Sequence, residues 1–185
     1  MKIDFRDYYN LENYLFNDVN QRFHNQGYID HKDFHCILVW KANRAKYKNA
    51  AKIIKNGETY EEAAISFTKE LYKCNSPENR FKFTVGKPFN FLLPTASAIL
   101  TVLYPKEFTV YDYRACEFIK DKNKEKDYNK ISGDLWTFYS NFINDVILLT
   151  PDLPLREKDK YIWGWSFKQD LDKAEKNLME ILKIN

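Results

Sequence analysis

Six basic side chains, Lys41, Arg44, Lys46, Lys48, Lys52 and Lys55, fall between positions 41 and 55 with no acidic residue among them. If that stretch is one continuous helix, all but Lys46 share about an 80° arc. Ala42, Ala50, Ile53 and Ile54 then take the other side. Such a row either tracks phosphates, releasing counterions as it neutralises them, or is a solvated helix face. His31 and His35 stand four apart, which sets two imidazoles on one helical face as zinc chelation requires. Lys32 occupies the place where a metalloprotease carries its glutamate base. No metal is therefore expected, and ordinary surface histidines are the better account. Ser140, Ser166 and the three cysteines lack the residues that surround a hydrolase nucleophile. Asp112 follows the uncharged run Phe108-Thr-Val-Tyr111, where its carboxylate can cap a helix. With five glycines, none near another, neither a G-x-G-x-x-G turn nor a P-loop exists, and no nucleotide cofactor is expected.

These side chains need elements to hold them, and the patterning predicts helices throughout. The chain has 185 residues, 44% of them hydrophobic and 17% aromatic, enough for one domain to bury a core. Five glycines and six prolines supply too few tight turns for a sandwich or barrel. Leu11, Leu15, Val19 and Phe23 recur every four residues on a helix from Tyr8 that Gly27 stops. Asp30 caps a second helix bearing Phe34, Ile37, Leu38 and Trp40 toward Asn56-Gly57, as one rod or two. Thr59-Tyr-Glu-Glu62 is a capping box opening a helix to about Lys73 with Ala63, Ala64, Phe67 and Leu71 inward. Ser76-Pro77-Glu78 starts another. Thr95 to Tyr104 carries no charge on any side, so it is the central buried helix. Asp112 begins a helix to about Lys120, and Lys120 to Lys130 is a polar loop. Ser132-Gly-Asp134 begins a helix that ends at Thr150-Pro151. Segments from Arg156 to Phe167 and from Gln169 to Ile184 complete an all-α domain over 1–185.

Charge and cysteine usage narrow the setting. A net charge of +3 is mild, so any anion binding rests on local clustering. Cys36, Cys74 and Cys116 are odd in number and far apart, which fits a reduced cytoplasm rather than a disulfide framework or a metal site. The start Met1-Lys-Ile-Asp-Phe-Arg-Asp7 is charged and no apolar run reaches membrane length, so neither signal peptide nor membrane span is expected.

Residues 86–119 include Gly86-Lys-Pro-Phe-Asn-Phe-Leu-Leu-Pro-Thr-Ala-Ser-Ala-Ile-Leu100 and Tyr104-Pro-Lys-Glu-Phe-Thr-Val-Tyr-Asp112-Tyr-Arg-Ala115. This segment resembles the helix-hairpin-helix DNA glycosylase superfamily, with weaker support from Arg156 to Trp163. In that family a hairpin leads into a helix beginning near Thr-Ala, and a catalytic aspartate follows after the interval that here runs from Thr95 to Asp112. The resemblance implies a compact multi-helix fold and a DNA partner. It also implies monofunctional excision of a flipped base, because Pro94 stands where bifunctional members carry their lysine. The family's hairpin glycines are absent from Pro88 to Leu92, and the four-cysteine cluster of some members is missing. On this reading Asp112 is the catalytic group, as against a helix cap alone. Lys41, Arg44, Lys48, Lys52, Lys87, Thr95 and Arg114 meet DNA, Arg114 alternatively pairing with an acid such as Asp159 or Glu117. Trp40, Tyr111, Tyr113 and Trp163 are candidates for stacking on the extruded base, or for ordinary packing. Two alternatives accompany it: a non-catalytic DNA-binding module on the same scaffold, and a helical protein-interaction domain.

Overall fold

The computed structural model describes residues 9–55 and 57–183, and all regular structure among them is helical. Met1 to Asp7, Tyr8 at the expected start of the first helix, Asn56 and Ile184 lie outside the described residues. The chain divides after Tyr111 into two compact units.

The first unit opens with α1, three consecutive stretches: Leu11–Asn13, a wider π-helical Tyr14–Val19, and Asn20–Gln26. Residues four apart overshoot a 3.6-residue turn and would drift around an α-helix. The π stretch, with its longer turn, counters the drift, and Leu15, Val19 and Phe23 are all fully buried. Gly27 ends α1 in the left-handed region (φ 77°). Then follow α2 (His31–Ala42), capped by the Asp30 side chain, a 3₁₀ turn (Asn43–Ala45) and α3 (Lys46–Ala51). The capping box at Thr59 and Glu62 starts α4 (Tyr60–Lys73), whose Ala63, Ala64, Phe67 and Leu71 are buried as expected. Ser76 caps α5 (Pro77–Val85).

Helix α6 (Leu93–Leu103) is the centre of this unit. Every residue from Thr95 to Leu103 is buried, and α1, α2 and α5 pack around it. Its last carbonyls have no partners within the helix. Asn20 Nδ2 donates to the carbonyl of Val102 at 2.7 Å, and His24 Nε2 lies 2.9 Å from that of Leu103. The buried segment Phe108 to Tyr111 is fastened to α6 by Ser97, whose Oγ accepts from the Tyr111 amide at 3.0 Å.

The second unit contains α7 (Tyr113–Lys122), α8 (Leu135–Leu149) and α9 (Leu155–Lys183), with α7 packed against both others. Asp134 caps α8. The two closing segments read from the sequence are one 29-residue helix. Gly164 does not interrupt it, and no neighbour crowds that position. No helix of the described residues is long and apolar enough to cross a membrane.

Candidate functional site

The turn between α5 and α6 is a closed hairpin. The Asn90 amide donates to the Gly86 carbonyl at 2.8 Å and the Phe91 amide to the Thr84 carbonyl at 3.3 Å. Side chains alternate across it: Phe89 and Phe91 are buried, with rings 4.8 and 5.9 Å from that of Phe67 on α4. Lys87, Asn90 and Leu92 point outward. The glycine-free stretch still reaches left-handed backbone, because Asn90 takes φ 49°, a conformation asparagine tolerates better than most residues. Gly86 admits no side chain, since a Cβ there would lie 2.6 Å from the Lys82 carbonyl oxygen. The Lys87–Pro88 peptide is cis.

The basic stretch lies against this hairpin, but not as one rod. The 3₁₀ turn at Asn43–Ala45 separates α2 from α3, Lys52 falls in a turn and Lys55 outside regular structure. The shared arc required continuity and is lost. Two contacts bring the stretch to the front of α6 instead. Lys52 Nζ donates to the Asn90 carbonyl at 2.5 Å and sits 5.4 Å from the Phe91 ring centroid. Asn49 Nδ2 donates to Thr95 Oγ1 at 3.4 Å. Thr95 is thus buried behind the hairpin, whereas Lys41, Arg44, Lys48 and Lys87 are exposed. Trp40, half-buried, meets Phe16 edge-on at 5.3 Å, and Tyr111 is buried.

In the second unit Asp112 caps α7, Oδ1 accepting from the Ala115 amide at 3.1 Å, and its side chain is partly exposed. Arg114 engages α9: its guanidinium donates to Ser166 Oγ at 2.6 Å and pairs with Asp170 at 3.1 Å. The acid is neither Asp159, which pairs with Arg156, nor Glu117. The same guanidinium lies 5.2 Å from the Tyr113 ring and 5.6 Å from that of Trp163, which stacks on Phe167. Tyr113 and Trp163 are 61% and 49% exposed, so both keep surface for a ligand. An open groove of about 450 Å³ between α7 and α9 includes Glu117, Lys120, Asp121, Trp165, Asp170 and Lys173 in its lining, but none of Asp112, Tyr113 and Trp163.

His31 and His35 pack their rings against Tyr60, at 5.6 and 6.3 Å. Burial, with Lys46 and His31 nearby, holds His35 below the usual imidazole range. Among the described residues no three His, Cys, Asp or Glu side chains are grouped as a metal ion would need. Tyr47, outside the expected base-stacking set, is 73% exposed amid the basic stretch. The triplet Lys46-Tyr-Lys48 was its signal. Compared with models of known protein families, with curated proteins and with solved structures, the chain matches none.

Proposed function

We propose that this chain is a DNA glycosylase-like protein that holds duplex DNA by the α5–α6 hairpin face and releases a flipped base with Asp112 as the key catalytic group. The observation that supports the reading is the closed turn between α5 and α6 and what surrounds it. Two phenylalanines pin the turn from inside, exposed Lys87 stands on it, and the basic stretch is fastened beside it through Lys52 and Asn49. Phosphates recognised there would be neutralised by Lys41, Arg44, Lys48 and Lys87. For the chemistry, the N-glycosidic bond breaks and its electron pair leaves with the base. The Asp112 carboxylate stabilises positive charge growing on the sugar, water then bonds to the anomeric carbon, and the proton it loses is taken up by the departed base.

Asp112→Asn tests this with little structural cost, because asparagine caps helices as well as aspartate does. We expect unchanged melting and no base release from a panel of damaged or modified duplexes; equal release by both proteins would overturn the assignment. Reversing Lys41, Arg44 and Lys48 to Glu should weaken duplex binding and flatten its salt dependence. The cap at Ala115 accounts for Asp112 without catalysis and so favours a second reading, a non-catalytic DNA-binding module. Salt-sensitive duplex retention with no free base from the wild-type protein at any concentration decides for that module.

A further inference from the structure

The bend between α2 and α3 carries a side chain that gripping a duplex leaves unused. Tyr47 exposes most of its ring, whereas tyrosine ordinarily hides its apolar body and wets only the hydroxyl. The ring nevertheless has neighbours. His35 on α2 lies 5.6 Å away at a 39° tilt, and His35 is in turn met edge-on by Tyr60. Lys46 Nζ stands 5.2 Å from the Tyr47 centroid. On α3 Asn49 and Ala50 are the buried positions, whereas Tyr47 is exposed. An exposed aromatic ring therefore sits among Lys41, Arg44, Lys46 and Lys48, in a stretch with no acidic residue.

Phosphates alone need the cations and have no use for the ring. In an intact duplex the base faces are already stacked on one another, so only an unpaired base can offer a face to Tyr47. An acidic polypeptide would satisfy the charges but would not select for an aromatic plane. We infer that the α2–α3 bend binds an unpaired nucleic-acid strand, with a base stacked on Tyr47 and Arg44 and Lys48 on the flanking phosphates. This site does not depend on base release at Asp112.

The test uses the whole chain and two fluorescent probes of equal length, a short oligothymidylate single strand and an intact duplex, titrated by anisotropy at several salt concentrations. Tyr47→Ala should weaken single-strand binding roughly tenfold, the order expected for one base–aromatic stack. Tyr47→Phe should retain it, and duplex affinity should be the same in all three proteins. Single-strand affinity unaffected by Tyr47→Ala would overturn the inference, as would a wild-type protein that does not bind the single strand. Equal losses on both probes, or displacement of the strand by polyglutamate as readily as by unlabelled oligothymidylate, would overturn it too. Absence of duplex binding or of base release counts against the glycosylase reading alone.

Discussion

Single side chains far apart in the chain carry the fit of these helices, and Lys158 is the sharpest instance. It is 5% exposed, and Nζ donates to the carbonyls of Pro151 at 2.7 Å and Ile147 at 3.2 Å. Those oxygens belong to the end of α8 and the turn after it, where a helix leaves carbonyls without partners of its own. An amine there also meets the negative end of the helix dipole. Truncation exposes the asymmetry of buried hydrogen bonds: losing one donor strands its acceptors. Lys158→Met, which keeps the aliphatic stem, should destabilise the protein by about 2 kcal/mol in urea unfolding. A variant as stable as wild type would show that water takes over both carbonyls. Arg80 is held on comparable terms, with its guanidinium 2.5 Å from Glu107 and 4.2 Å from the Tyr104 ring centroid, tying α5 to the turn after α6.

At the scale of elements, sequence signals located helices well where the signal is local. Thr59 and Glu62 close their box as the pattern requires: the Glu62 amide donates to Thr59 Oγ1 at 3.2 Å, and the Thr59 amide donates to Glu62 Oε2 at 2.9 Å. The Thr59 amide, and the Thr59 hydroxyl donating to the same oxygen at 2.8 Å, hold the Glu62 carboxyl below its ordinary range. Thr59→Ala should cost about 1 kcal/mol of stability, measured by the shift in urea midpoint at constant slope; no shift would mean that tertiary packing alone sets the start of α4. The uncharged run in α6 and the cap at Asp112 were equally readable. The division of α2 from α3 was not. Asn43-Arg-Ala45 contains neither glycine nor proline, and α3 is drawn away by Asn49 meeting Thr95 at a separation no periodicity encodes. For the same reason the partner of Arg114 was out of reach, since Asp170 lies on another helix, 56 residues on. Of the candidate site, then, the helix-start roles were visible in the sequence, while the seating of the basic stretch beside the hairpin was a tertiary fact.

Across the whole molecule the aromatic content that builds the core also sets a limit on the alkaline side. Tyr14, Tyr60, Tyr104 and Tyr128 are all displaced upward, in each by burial first. Tyr104 is pushed up to about 12. Tyr14 and Tyr128 also donate to the carboxylates of Asp33 and Asp145, at 2.7 and 2.5 Å. Three of the four stand in the first unit and Tyr128 in the second, so both units share the dependence. An unfolded tyrosine releases its proton near pH 10. Between that value and the higher folded one, the native state binds more protons than the unfolded state, so stability is full below about pH 10 and falls as pH rises above it. Tyr60 isolates the effect, because its hydroxyl is buried with no hydrogen-bond partner. Tyr60→Phe removes an unsatisfied polar atom and no bond, so at pH 7 the variant should equal or exceed wild-type stability. At pH 11 the gap should widen in favour of the variant, since one of the groups that must stay protonated to remain buried is gone. Urea midpoints at pH 7, 9 and 11 measure this, and parallel losses in the two proteins would mean that lysine deprotonation, not buried tyrosine, governs the alkaline transition.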